Sequence, residues 1–155
     1  MLRVCLVLLA GLALAACERD GPPPDAVQTP AELSPRDMVA SVEPADFALI
    51  PCSKSEKTLC FLAMAGGKRL LFGAPAGIGN RFAAKDLAAL DGLFLFSLRP
   101  EDIEGLDEVR NVSWQAGRPD MLAVTGPHGV TALIDAINRA YEVSDALIFV
   151  EDGAP

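Results

Sequence analysis

From residue 46 onward, apolar residues fall either in short runs or at helical spacing, with turn-forming residues between them. Short runs predict strands, whereas apolar residues at i, i+3 and i+4 predict amphipathic helices. The predicted strands cover 47–50, 59–65, 68–72, 93–96, 121–124 and 146–150, and the predicted helices cover 78–90, 100–110 and 129–142. Three strands followed by alternating helices and strands predict an α/β (α+β) fold, in which a mixed sheet carries helices on one face.

Gly66-Gly67 lies between two apolar runs and predicts a two-residue hairpin, because both central residues of such a turn need positive φ. Cys52 and Cys60 lie just outside this hairpin. A disulfide between them would join the first strand to the second across the polar loop 53–57. Two free buried thiols are the alternative.

Several predicted strands are apolar at nearly every position, and such strands are normally covered on both faces. The predicted helices cover one face only. We therefore expect the other face to be buried by a second copy in a two-fold homodimer or by a different envelope protein. Folding back of the proline-rich segment through Leu33, Met38 and Val39 is the alternative.

The N-terminus predicts export. Arg3 precedes an apolar run from Val4 to Leu14, which is too short to span a bilayer and is typical of a signal peptide over residues 1–16. Leu14-Ala15-Ala16-Cys17 resembles a bacterial lipobox, which implies acylation of Cys17. An ordinary secretory signal is the alternative. Glu18 after the cysteine slightly favours the outer membrane.

Residues 17–45 contain six prolines with scattered acidic residues, so we predict a solvated tether there and a single domain over 46–155. A short helix within 30–40 is also compatible with the pattern. The formal net charge of −8 and a pI near 4.5 argue against nucleic acid as a partner. The acidic charge also argues against electrostatic adhesion to anionic lipid, so we expect membrane contact through the acyl chains alone.

The stretch 69–74, the strand 93–96, Ile103-Glu104-Gly105-Leu106 and the turn 124–130 together resemble the N-terminal half of the metallo-β-lactamase fold. The ribonuclease Z-like and arylsulfatase-like hydrolases are the most similar branch. This resemblance covers roughly residues 46–150 and implies an αββα-type arrangement. The chain ends at Pro155, before the second half of that fold.

The zinc ligands that the resemblance implies are replaced. The first two histidines of the family motif fall on Ser97 and Arg99, and its aspartate and third histidine fall on Glu101 and Asp102. The separate aspartate that follows the earlier strand in the family falls on Gly73. An arginine repels a dication, and zinc in this fold is held mainly by imidazole. The sequence therefore predicts no zinc, no other cofactor and no catalytic residue.

Other polar and aromatic residues carry weaker signals. His128, the only histidine, is either a ligand contact or an ordinary loop residue. The acidic residues of 101–108 form either a Ca²⁺ or Mg²⁺ site or, as we prefer, a solvated helix face. Trp114 and Tyr141 are either an aromatic ligand patch or packing residues.

We therefore expect a lipid-anchored, metal-free and non-catalytic domain that acts as a binding or assembly module of the cell envelope. The alternative is a metal-dependent hydrolase subunit whose active site is completed by a partner chain.

Overall fold

The computed structural model of the chain describes residues 33–153. The predicted signal peptide, Cys17 and the first half of the predicted tether lie outside the described residues. The elements are α1 (Pro35–Ser41), β1 (Ala48–Pro51), β2 (Phe61–Ala65), β3 (Lys68–Phe72), a 3₁₀ turn (Ile78–Asn80), α2 (Ala84–Ala88), β4 (Gly92–Phe94), α3 (Pro100–Ile103), α4 (Leu106–Gln115), β5 (Val124–Thr125) and α5 (Val130–Asp152).

The strands form one mixed sheet in the order β1-β2-β3-β4-β5. The first three strands are antiparallel, and β4 and β5 continue the sheet in parallel with β3. This arrangement confirms the predicted α+β fold with a mixed sheet. Sequence order equals spatial order because a tight turn joins β2 to β3 and helical crossovers join the parallel strands.

The predicted hairpin joins β2 to β3. Ala65 pairs with Lys68, and Gly66 and Gly67 occupy the two turn positions with φ of 56° and 78°. These angles are strained for residues with a Cβ, which is why a glycine pair fixes the turn and thereby the register of both strands.

The hydrophobic core lies on one face of the sheet, which we call the inner face. Ile50, Leu62, Leu71 and Leu93 project into it from four neighbouring strands, and all are at most 2% exposed. The helices, the 3₁₀ turn and the loop between that turn and α2 add further buried residues: Val39, Ile78, Phe82, Leu87, Leu106 and Val109. Each fully buried side chain of this size contributes about 1.5–3 kcal/mol of transfer free energy.

Helix α1 lies inside the segment predicted as a tether and corresponds to the short helix expected within 30–40. Ser34 caps it by accepting a hydrogen bond from the Asp37 N–H at 3.3 Å, and Pro35 occupies the first turn. Val39 is 5% exposed and belongs to the core. This part of the predicted tether is therefore folded against the sheet.

Two predicted helices are each divided. The stretch 78–90 contains the 3₁₀ turn and the short α2, and the stretch 100–110 contains α3 and the start of α4. The second break lies at Glu104–Gly105, where the Gly105 N–H donates to the Ala74 carbonyl at 2.8 Å. This hydrogen bond joins the loop after β3 to the residue that precedes α4.

The predicted last strand at 146–150 is wrong, because these residues form the C-terminal part of α5. Neither glycine nor proline interrupts 130–152, and an apolar run of five residues does not distinguish a strand from a helix by periodicity. The predicted strand 121–124 is also displaced, since Met121 is 96% exposed and β5 begins only at Val124.

Candidate functional site

The sheet face opposite the core, which we call the outer face, consists of aligned apolar residues. The register places Pro51, Phe61, Phe72, Phe94 and Thr125 in one row across all five strands. The next row contains Leu49, Ala63, Leu70 and Gly92. Neither row contains a charged residue, whereas the solvent face of a sheet is ordinarily polar.

Four phenylalanines form the centre of the outer face. The rings of Phe61 and Phe72 stack with centroids 4.6 Å apart, and Phe72 stacks on Phe94 at 4.9 Å. The ring centroid of Phe96 lies 6.3 Å from that of Phe61 and 6.2 Å from that of Phe72. Such pairs contribute about 0.5–1.5 kcal/mol each beyond area burial, so the sheet holds the rings in a fixed arrangement.

Several large apolar side chains of the outer face are exposed to solvent: Phe47 is 70%, Leu49 56%, Leu59 55% and Phe96 45% exposed. Together these four present about 400 Å² of apolar surface, which is in the range of the largest patch on a typical monomer and is usually functional. Half-buried rings enlarge the patch. Among residues 33–153 no helix covers it.

The disulfide predicted from the sequence is present and belongs to the core on the inner face. Cys52 and Cys60 are joined with their Cα atoms 5.0 Å apart, and both are buried. The Cys52 N–H also donates to the Cys60 carbonyl at 2.9 Å. The bond therefore holds β1 against β2 and fixes the start of the segment that carries Leu59 and Phe61.

Ser97, Arg99 and Asp102, where the resemblance would place metal ligands, form local hydrogen bonds instead. Ser97 donates its hydroxyl to Asp102 in a very short hydrogen bond, and the Arg99 N–H donates to Ser97 Oγ at 3.1 Å. Glu101 is exposed. Together these contacts order the turn into α3, which is a structural role.

The preceding loop contains Gly73, where the resemblance would place a second aspartate. An ideal Cβ on Gly73 would lie 2.1 Å from the Leu59 carbonyl oxygen, and its φ is 81°. Any side chain here would collide with backbone. Within residues 33–153, no group of three or more His, Cys, Asp or Glu side chains is placed to hold a metal ion.

The other candidates are dispersed. His128 is exposed in the turn before α5. In the acidic segment, Glu108 accepts from the Gly77 and Gly79 N–H groups at 2.8 Å each and so orders the 3₁₀ turn. Trp114 and Tyr141 are both half-buried and belong to different environments rather than to one aromatic patch.

Tyr141 lies in a polar network between α4 and α5. It donates to Asp107, and this hydrogen bond to the protonated phenol raises the pKa of Tyr141 above its usual value of 10.0. The Arg110 guanidinium carbon lies 5.3 Å from the Tyr141 ring centroid, and Arg110 forms an ion pair with Asp145. These pairs have no local signature in the sequence, because their members are 34 and 35 residues apart.

A search of family models finds no match to the chain, and a search of curated proteins finds none either. In the part of the chain that the structure describes, no helix combines the length and the hydropathy required to cross a membrane. The fold and the outer face therefore supply the functional argument.

Proposed function

We propose that the protein is a lipid-anchored, non-catalytic module of the bacterial cell envelope that self-associates through its outer sheet face. The proposal rests on the uncharged row of stacked phenylalanines, which lies on a face that no described helix covers. Aromatic residues in an uncharged centre are the composition of protein interface cores. The resemblance to the metallo-β-lactamase fold supports the outer face as the contact surface, because the corresponding face of the sheet is buried inside the αββα sandwich of that fold.

A second copy of this chain is the occupant that we infer for the uncharged outer face. Two chains of net charge −8 repel each other at long range, so a stable contact between them must at least bury no carboxylates. The two central rows of the outer face, which run from Pro51 to Thr125 and from Leu49 to Gly92, meet that requirement. Two-fold pairing would stack the sheets about 10 Å apart and place phenylalanines against phenylalanines.

The size of the face is consistent with this assembly. A standard interface buries about 800 Å² on each partner, and obligate homodimers are the more apolar class. The exposed rim, to which Phe47 and Leu59 belong, supplies about half of that area and the half-buried rings extend it. Burial of this surface in a dimer would remove from water the apolar side chains of the sheet face that no described helix covers.

A non-catalytic role rests on the chemistry of the residues that replace the metal ligands. Ser97 and Asp102 bind each other, and Arg99 adds a positive charge where a dication would need donors. The backbone collision at Gly73 keeps a carboxylate from that position. These contacts support a scaffold that has retained the fold without the hydrolytic centre.

Sedimentation equilibrium of the full chain in a density-matched detergent tests the proposal. We expect a mass of two chains per complex. Leu49→Glu adds a charge at an already exposed outer-face position and should weaken dimerisation roughly hundredfold, since both copies carry the change. Val143→Glu, on the exposed side of α5 at 74% exposure, is the matched control and should have no effect. A monomer for the unchanged chain, or equal effects of both substitutions, would contradict the proposal.

A further inference from the structure

A second surface feature is independent of the outer face. Helices α4 and α5 and the loop before β5 enclose an open cavity of about 390 Å³. Its walls are mainly apolar: Leu106, Trp114, Leu122, Val124, Ile134 and Ile137. Binding sites for small molecules are typically concave, apolar and of about 300–1,000 Å³, with a few polar groups that orient the ligand.

Arg118 is the polar group with unused donor capacity. Its Nη2 donates to the carbonyls of Leu87 at 3.1 Å and Leu90 at 2.7 Å, which anchors the guanidinium at the end of α2. Its Nε is buried and finds no acceptor among residues 33–153. A guanidinium carries five N–H donors, and the two on Nη1 make no hydrogen bond to the described residues, so Nη1 rather than the solvent-inaccessible Nε is the donor that a ligand would use.

The second arginine of the cavity is already paired. Arg110 donates to both carboxylate oxygens of Asp145 and to Asn138 Oδ1, the latter at 2.9 Å. Two carboxylates lie near Arg118: Asp91, which is itself paired with Lys68, and Asp120, which lies at the cavity wall. Met121, almost fully exposed, stands at the rim, where a flexible thioether can pack over an apolar guest. Arg118 is therefore the group available to a ligand.

We propose that this cavity binds an apolar carboxylic acid, with the carboxylate on the Arg118 guanidinium and the apolar body between Trp114 and α5. Planar guanidinium groups bind carboxylates through paired, charge-assisted hydrogen bonds. A cavity of 390 Å³ holds about a dozen water-sized groups, which corresponds to a chain of about ten carbons with its carboxylate. The proposal does not depend on self-association.

The only tryptophan of the chain makes the test direct, because all indole emission comes from Trp114. Lipidated full chain on phospholipid vesicles is titrated with decanoate, and protein-free vesicles define the free concentration. We expect a saturable blue shift of the emission as the chain displaces water from the indole. Decan-1-ol, which has the same apolar body without the charge, should bind at least about tenfold more weakly.

Three variants separate the contributions. Arg118→Gln should reduce decanoate affinity about tenfold and leave decanol affinity unchanged, whereas Arg139→Gln, on an exposed position of α5, should change neither. Ile137→Phe narrows the cavity and should weaken both ligands. If Arg118→Gln does not fold, the proposal is tested by the ratio of the decanoate and decanol affinities of the unchanged chain and by the affinities of the Ile137→Phe variant. An absent emission change, equal affinity for acid and alcohol, or full binding by Ile137→Phe would overturn the proposal.

Discussion

Tyr141 on α5 donates its phenolic hydrogen to Asp107 on α4, and this contact joins two helices that are distant in the sequence. Next to it, Arg110 binds Asp145 through both nitrogens of its terminal fork. Both contacts lie on the middle of α5. They hold the helix beside α4 just before residues 146–150, where the sequence alone predicts a strand.

The Tyr141 contact predicts the pH dependence of stability at high pH. Because Asp107 favours the protonated phenol, the folded pKa of Tyr141 is above its unfolded value. The contact therefore stabilises the fold below pH 10, and this contribution is lost as the pH rises through the folded pKa. The chain has one tyrosine, so tyrosinate absorbance titrates this residue alone, and we expect a midpoint above 10.

Asp107→Asn provides the control for that titration. Removal of the carboxylate charge should move the Tyr141 midpoint back toward 10 while the folded state is retained. Asp135→Asn, an exposed carboxylate on α5, is the matched substitution and should leave the midpoint unchanged. Identical midpoints in all three proteins would show that the Asp107 contact does not form in solution.

Gly73 and Gly77 form a matched pair for testing backbone packing. Their φ angles are 81° and 80°, but a Cβ on Gly73 meets the Leu59 carbonyl oxygen at 2.1 Å, whereas one on Gly77 meets nothing within 4 Å. Gly77→Ala should cost about 1–2 kcal/mol of unfolding free energy from the backbone angle alone. Gly73→Ala should cost at least about 2 kcal/mol more, because backbone must shift.

Urea unfolding of the two glycine variants measures this difference. The comparison also tests whether the backbone at Gly73 tolerates any side chain, since Gly73→Asp should be no less destabilising than Gly73→Ala. Equal costs for Gly73→Ala and Gly77→Ala would mean that the loop after β3 does not approach Leu59 as described.

The Cys52–Cys60 bond predicts a stability effect of moderate size. It closes a loop with a sequence separation of 8, so its removal should cost about 2–3 kcal/mol in the chain-entropy account. The double variant Cys52→Ala/Cys60→Ala, compared with the unchanged chain by urea unfolding, measures that cost. Alkylation of the unreduced protein followed by mass spectrometry should leave both cysteines unmodified, and two alkylated thiols would refute the bond.

Much of the fold follows from local signals. Gly66-Gly67 specifies its turn through positive φ, and the apolar runs on either side specify β2 and β3. The mixed sheet follows from the order of strands and helices. The length of α5 did not follow, because the pairing of Arg110 with Asp145 that holds it is a long-range contact without a sequence signature.

The outer face was predictable only in part. Apolar residues at nearly every strand position indicate that both faces of the sheet are apolar. The alignment of Phe61, Phe72 and Phe94 in one row depends on register, which the hairpin fixes between β2 and β3 but nothing local fixes between β3 and β4. The cavity between α4, α5 and the loop before β5 was not predicted, since it forms between elements that are separate in the sequence.

The lipid anchor remains a prediction from the sequence. Cys17→Ser should prevent acylation, leave an unprocessed or soluble chain and abolish its partition into the detergent phase. Cys5→Ser, within the predicted signal, is the matched control and should be processed normally. Normal processing and membrane fractionation of the Cys17→Ser chain would show that the lipobox interpretation is wrong.

Site-specific photo-crosslinking in intact cells tests self-association most directly. A benzophenone amino acid replaces Leu49 on the outer face or, as the control, Val143 on the exposed side of α5, and two differently tagged copies are expressed together. We predict that irradiation yields an adduct of two chains carrying both tags from position 49 and none from position 143. An adduct from position 49 with lipid or with a different protein, or no adduct at all, would contradict the account.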